Sequence, residues 1–379
     1  MEDRDPPTGE HEQTERARAW ASTMDGHATH HLRTAHRDSH AAIAIAPPVD
    51  RRNREGPDGM LPAEGATRAI GAGDRHVAEE PDPFRTCFER DRDRILHATA
   101  FRRLAGKTQV FVFPEDHQRS RLTHALEVAQ VARAIATSLG LNVPLTEAIA
   151  LGHDCGHGPG GHASEDALTP YVEGGYDHAR WGADVTLEPL NLCCETLDGI
   201  RNHSWSRPAP STPEGEVVSW ADRIAYVCHD FEDAVHAGVV PADLLPKVVR
   251  SRCGATRREQ LGAFIDAVVQ KTAATGIVGM DHEMADSLAA FRNFDYERIY
   301  LRPDSVRQGA LVIDMLQALV EHLLETSGDL PDDVREADDR NKAIVNYVGG
   351  MTDRFACRSA QRLLGWETGR LPTGVGLSG

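Results

Sequence analysis

The chain has 379 residues, 40% of them hydrophobic and 26% charged, ordinary values for a globular protein of one large or two ordinary domains. No run approaches the roughly eighteen apolar residues of a membrane span, and the acidic start MEDRDPPTGEHEQTERARAW is unlike a secretory signal, so a cytoplasmic protein with no membrane partner is expected. The net charge of −17 argues against non-specific nucleic-acid binding, and seven cysteines with no CxxC pair fit scattered buried thiols better than a disulfide framework or a thiolate zinc site.

Residues 1–83 are polar, carry seven of the nineteen histidines and show no sustained period, which predicts a largely disordered tail. Order is expected from Phe84. Leu96, Ala100 and Leu104 mark one face of a helix over about 89–105. TQVFVF then reads as extended, ending at Pro114. Leu122, Leu126, Ala129, Ala132, Ile135, Ala136 and Leu139 predict a helix over 121–139, stopped by Gly140. Pro144 opens the next helix. Further helices are predicted over 187–202, 216–237, 257–273, 281–298, 304–326 and 338–364, with a loop at 206–215. The fold class is all-α.

Between Phe84 and Arg121, nine Lys/Arg face five acids, a surplus of four in an otherwise acidic chain. Such an island suits either a solvated helix face or a pocket for a small anion. GHDCGHGPGGHASED, residues 152–166, packs three histidines, three acids and five glycines together, poor material for an apolar core. His153 and Asp154 stand where the helix opened by Pro144 should end. His124, in SRLTHALEV, and Asp222, in SWADRIAYVCHD, each lie on a mainly apolar helix. Singly, the histidine reads as a satisfied core residue and the aspartate as an N-cap. Together the four offer two imidazoles and two carboxylates, a mixed set suited to a divalent ion such as Mg, Mn, Fe, Co or Zn. His162 and Glu165, spaced i, i+3, would share a helix face, where the carboxylate can orient the imidazole for proton transfer. The intervening glycines allow backbone to approach an anion closely.

The order His … His-Asp … Asp resembles the HD superfamily of metal-dependent phosphohydrolases. The stretches DPFRTCFERDRDRILHATAFRRLAGKTQVF, RSRLTHALEVAQVARAIA, HDCGHGPGGHASE, ADRIAYVCHD, IYLRP and VGGMTDRFA look like its deoxyguanosine triphosphate triphosphohydrolase branch over about 82–365. The resemblance implies an HD helical bundle over 84–370 with added C-terminal helices, outside the 1–83 tail. It implies cleavage of a deoxynucleoside triphosphate to a deoxynucleoside and inorganic triphosphate. It makes His124, His153, Asp154 and Asp222 the metal ligands, His162 and Glu165 the catalytic pair, and His157 a second active-site histidine. Arg121 and Arg223 would contact phosphate, Tyr226 would pack on the sugar, Asp230 would accept a sugar hydroxyl, and Gln109 would hold the 3′-hydroxyl. The family pattern HDxGHxPFGHxGE is broken twice, by Gly160 for Phe and Ser164 for Gly, which bears on specificity more than on the ligands. A homo-oligomer and a nucleotide or single-stranded DNA effector are further possibilities of the family. Two other readings stay open: another HD nucleotide phosphohydrolase (a nucleotidase or a cyclic-nucleotide phosphodiesterase), which would lack the long RDRDRIL…KTQVF match, and a non-catalytic sensor, which would have broken ligands. Tyr226 also reads as plain core, and Asp230 as a helix-surface cap. His203, in RNHSW, is a possible phosphate neighbour or a buried structural group.

Overall fold

The computed structural model describes residues 22–23, 25–47, 63–114 and 117–373. Within them the chain is all-α apart from a two-stranded antiparallel ribbon, β1 (His27–Ala28) with β2 (Arg33–Thr34). The helices are α1 (Cys87–His97), α2 (Thr99–Arg103), α3 (Arg121–Leu139), α4 (Val143–Gly152), α5 (His162–Leu168), α6 (His178–Trp181), α7 (Cys194–Asn202) and α8 (Pro213–His236). They continue as α9 (Lys247–Cys253), α10 (Arg257–Thr275), α11 (His282–Asp295), α12 (Pro303–Glu325), α13 (Asp332–Arg335), α14 (Arg340–Gly349) and α15 (Asp353–Leu364). No described helix is long and apolar enough to cross a membrane.

Local chemistry explains the boundaries. Thr86 caps α1 and forms a reciprocal capping box with Glu89. Gly140, at φ 69°, stops α3 in the left-handed conformation that glycine adopts at least cost. Asn142 caps α4, which carries Pro144 in its first turn, where a missing N–H costs nothing. α3 packs against α4, α8 and α10 around Val128, Val131, Ile135, Leu145, Ile149 and Val217. A second apolar cluster joins α12, α14 and α15 to Leu168 of α5 and to Tyr176 and Trp181, so the C-terminal helices close over the segment after the glycine-rich stretch.

Several expectations change. The predicted 89–105 helix breaks at Ala98, whose backbone is extended, and its buried side is Cys87, Phe88, Asp91 and Ile95, leaving Leu96 outside. In α3 the buried face runs through His124, Ala125 and Val128, and Leu126 is 46% exposed. The 338–364 helix is two helices with Gly350–Thr352 between them, and the one expected over 187–202 begins only at Cys194. TQVFVF forms no strand; Thr108 makes an isolated bridge to Ser120. The short helices α6, α9 and α13 were not anticipated, being too brief to show a period, whereas α5 is the helix expected to carry His162 and Glu165.

The polar N-terminal region, expected as a solvated tail, is partly packed. Leu32, Ala35, His36 and Ile43 are buried, Arg33 and Ala42 bridge to Met280 and Ile277, and Glu214 accepts from Thr67 N at 3.0 Å and Thr67 Oγ1 at 2.6 Å. Buried polar partners such as Glu214 leave no periodic trace in sequence. The rest of that region, with 48–62 and all but a few of residues 1–24, lies outside the described residues.

One glycine is fixed by space alone. A Cβ on Gly156 would lie 2.0 Å from His178 O and 2.4 Å from Gly182 N, both backbone atoms that cannot swing aside. Gly156→Ala is expected to destabilise the fold by about 3 kcal/mol, read as a lower urea midpoint at unchanged m-value; a change within about 0.5 kcal/mol would contradict this packing.

Candidate metal and phosphate site

The site is built where helices begin and end. Arg121 and His124 lie one turn apart at the start of α3, His153 is the C-cap of α4 and His203 that of α7, Asp222 projects from the middle of α8, and His162 and His178 open α5 and α6. Residues 151–159 are all buried in spite of their polarity.

This burial is possible because the loop's backbone is satisfied from outside. The fully buried Lys107 donates through Nζ to His157 O and to Gly349 O, the latter at 3.0 Å. Tyr176 Oη donates to Gly156 O at 2.7 Å, and Asp353 Oδ1 accepts from Gly160 N at 2.9 Å. Asp353 Oδ2 accepts from Thr108 Oγ1 at 2.6 Å. Ser164 Oγ accepts from Gly158 N at 3.0 Å and donates to Gly161 O at 2.6 Å. Gly160 and Gly161 both have positive φ, and Val312 fills the space a side chain at 160 would need. So where the resemblance would place Phe, the backbone itself asks for glycine.

The four residues expected as ligands converge. His124 Nε2 is 3.1 Å from Asp222 Oδ1 and 3.8 Å from Asp154 Oδ2, and His153 Nε2 is 3.5 Å from Asp154 Oδ1 and 3.6 Å from Asp222 Oδ1. His153 Nδ1 lies 2.6 Å from Ala150 O, a pure acceptor, so the neutral ring keeps its proton there and Nε2 is the nitrogen that a cation would take in place of a proton. That buried Nε2 has no hydrogen-bond partner among the described residues and faces two carboxylates. Lone pairs and negative oxygens pointed at one spot are the donor set of a divalent cation, and the residues fit one.

Electrostatics agree. Burial alone would raise the Asp154 carboxyl, but the Arg121 guanidinium, donating to Oδ2 at 2.7 Å, and the nearby imidazoles hold it well below its usual range. Asp222, which burial would likewise raise, is held low by its hydrogen bond with His124 and by the nearby His153 imidazole. Burial lowers His153, yet Asp154 and Asp222 overcome it and push the ring up to about 9. Burial takes His178 and His203 down to about 4, and burial with Arg121 nearby takes His157 well below its usual value.

Other expected residues are placed differently. His157 stacks on His178 with ring centres 3.7 Å apart, and its Nε2 is 3.3 Å from Asp154 Oδ1. The Glu165 carboxylate accepts from His178 Nδ1 through Oε1, while His162 Nδ1 lies 3.9 Å from that oxygen and its side chain is 57% exposed. Arg223 is buried, donates to Thr23 O at 2.9 Å and stacks over the Trp205 ring at 3.5 Å, so the N-terminal segment meets it rather than open cleft. Tyr226 Oη accepts from Arg292 Nε at 2.6 Å, and Asp230 Oδ2 accepts from Tyr300 Oη. Gln109 Oε1 and Asp230 Oδ1 are buried acceptors with no partner among the described residues. Sequence reasoning missed His178, Lys107 and Asp353. His178 sits sixteen residues past His162 in GYDHARW, a spacing no local rule links to the site.

The raised His153 has a thermodynamic consequence in metal-free protein. Its stabilisation is complete below about pH 6.5 and is lost as pH rises toward about 9, a span worth about 3 kcal/mol. The chelator-treated protein should therefore lose stability over that window, and a divalent ion, replacing the proton, should remove this part of the slope. Comparison with His153→Gln isolates it; identical slopes for both proteins would contradict the assignment.

Comparisons with known proteins fall on the same residues. The HD domain matches residues 121–227 and the phosphohydrolase-associated domain residues 278–362. A deoxyguanosinetriphosphate triphosphohydrolase-like protein of Caldanaerobacter subterraneus is 41% identical over 288 residues, 73% of this chain and 85% of that protein. One of the same name from Clostridium perfringens is 37% identical over 308 residues, 76% of this chain and 90% of that protein. Another, from a Ruegeria species, is 36% identical over 76% of this chain and 95% of that protein. The chain belongs to the deoxyguanosinetriphosphate triphosphohydrolase-like family of HD-domain phosphohydrolases.

Proposed function

We propose that the protein hydrolyses deoxynucleoside triphosphates, dGTP or several of them, between the 5′ oxygen and the α-phosphorus, releasing a deoxynucleoside and inorganic triphosphate. The observation that carries the reading is the closure of His124, His153, Asp154 and Asp222, from three helices, each imidazole Nε2 lying 3.1–3.8 Å from an oxygen of both aspartates, with Arg121 and the exposed His162 beside them. In this reading those four residues hold a divalent cation, Mg, Mn, Fe, Co or Zn. The cation supplies Lewis-acid charge to the phosphate oxygens and makes water a better nucleophile near neutral pH.

The protein's own groups do the rest. Arg121 reaches the site while its Nε lacks a partner among the described residues, so it can meet phosphate oxygens as well as Asp154. His162, at the exposed start of α5, is positioned to pass a proton to the departing 5′ oxygen. Glu165 lies within reach of His162 and orients His178 through Nδ1. His157 is held flat against His178 and hands its carbonyl to Lys107, so the whole loop presents a rigid wall to the phosphates. The unsatisfied acceptors Gln109 Oε1 and Asp230 Oδ1 suit a sugar hydroxyl donor, and Tyr226, fixed by Arg292, suits packing against the sugar. Arg223 belongs to this reading as a phosphate contact only if the segment at Thr23 moves away from it.

Incubating metal-loaded protein with each of the four deoxynucleoside triphosphates should give triphosphate and deoxynucleoside; monophosphate or diphosphate products would refute the reading. His162→Ala should lower kcat by roughly 10²–10⁴-fold with metal content kept. Asp154→Ala should lose metal and turnover together.

A further inference from the structure

Arg223 follows Asp222 on α8, and the chain's own N-terminal segment holds it. Its Nη1 donates to Thr23 O at 2.9 Å, its guanidinium carbon lies 3.5 Å from the centre of the Trp205 ring, and Thr23 and Arg223 are both buried. Gly26, at φ 69°, seats the segment against the same indole, since a Cβ there would come within 3.0 Å of it. The ribbon of β1 and β2 has two residues to a strand, too little to hold itself in place. Anchors along residues 33–43 hold it instead. His36 meets Arg207 O at 2.8 Å and Ser219 Oγ at 3.2 Å, and Asp38 Oδ1 accepts from Ala209 N at 3.1 Å. Arg33 Nη2 donates to Asp286 Oδ1 at 2.8 Å, and Ile43 N donates to Gly276 O at 2.8 Å. None of these anchors uses a residue of the converging metal cluster. A carbonyl is a neutral acceptor, whereas a triphosphate chain offers charged oxygens, to which a guanidinium bonds about twice as strongly and in bidentate fashion. Arg223 therefore has two competing partners, one in the chain and one in an anionic ligand.

We propose that Thr23 and residues 25–47 form an autoinhibitory cap: they hold Arg223 in a closed state, and the triphosphate chain of a nucleotide opens the cap by taking the guanidinium from Thr23 O. The proposal rests on the reading of Arg223 as a phosphate contact. Docking of the segment and occupation of Arg223 by phosphate then exclude one another. The apparent affinity for the anion is reduced in proportion to the fraction of molecules that are open, and every anchor removed from the closed state raises it.

The test uses the full chain with Mn(II) in excess and inorganic triphosphate as the probe, read by titration calorimetry and by amide hydrogen exchange. Triphosphate should speed exchange in peptides spanning 27–44, where Arg33 N and Ile43 N are otherwise bonded to Met280 O and Gly276 O. His36→Ala, which loses a buried anchor, should bind triphosphate roughly fivefold more tightly than wild type. Arg33→Ala, whose partner Asp286 is at the surface, should do the same and takes its place if His36→Ala does not fold. Arg223→Gln should bind about tenfold more weakly. Exchange in 27–44 that slows or stays constant on binding, or unchanged affinity in the released variant, overturns the cap alone so long as Arg223→Gln binds weakly. Equal binding by Arg223→Gln and wild type, or no binding by either, instead overturns the reading of Arg223 as a phosphate contact and the cap with it.

Discussion

The structure turns on one buried charge. Asp154 is 3% exposed, yet its environment keeps it ionised. A carboxylate withdrawn from water is tolerated only with opposite charge and good hydrogen bonds around it, and removing one partner of such a pair costs about 3–5 kcal/mol. Arg121 supplies one partner from the first residue of α3, and His124, His153, His157 and His178 surround the rest. The way α3, α4 and α8 cross is therefore tied to a polar centre as well as to the apolar contacts among Val128, Ile149 and Val217.

The same constraint explains the C-terminal helices. A loop of glycines and histidines cannot bury itself, because it lacks apolar surface and leaves backbone groups without partners. Lys107, Tyr176 and Asp353 provide those partners from three separate parts of the chain. Asp353 lies within the phosphohydrolase-associated region, so the two matched regions meet on the loop itself. The second apolar cluster, with Val312 against Gly160, supplies the packing that keeps the loop in place.

What sequence showed and hid follows from this physics. α3, α8, α10 and α12 were readable because they are long enough to show an apolar period, and Gly140 marks the end of α3. The four converging residues were readable because a His-Asp pair at a helix end, with a further His and Asp on apolar helices, is chemically odd. His178 was hidden because its role comes from a bond to Glu165 and a neighbour, His203, twenty-five residues away. The packing of residues 25–47 was hidden for a similar reason: its anchors are buried polar groups, His36 between Arg207 O and Ser219 Oγ among them, and such anchors have no period. Arg223 was placed by analogy, and the segment that covers it lies outside the stretches that carried the analogy.

The central claim is that imidazole and carboxylate side chains from α3, α4 and α8 close on a metal ion. X-ray absorption at the metal edge of the loaded protein tests it directly. The account predicts a first shell of nitrogen and oxygen only, near 2.0–2.2 Å for a zinc-like ion, with imidazole scattering that weakens in His124→Ala. A sulfur shell near 2.3 Å, or a spectrum without imidazole scattering, would contradict it.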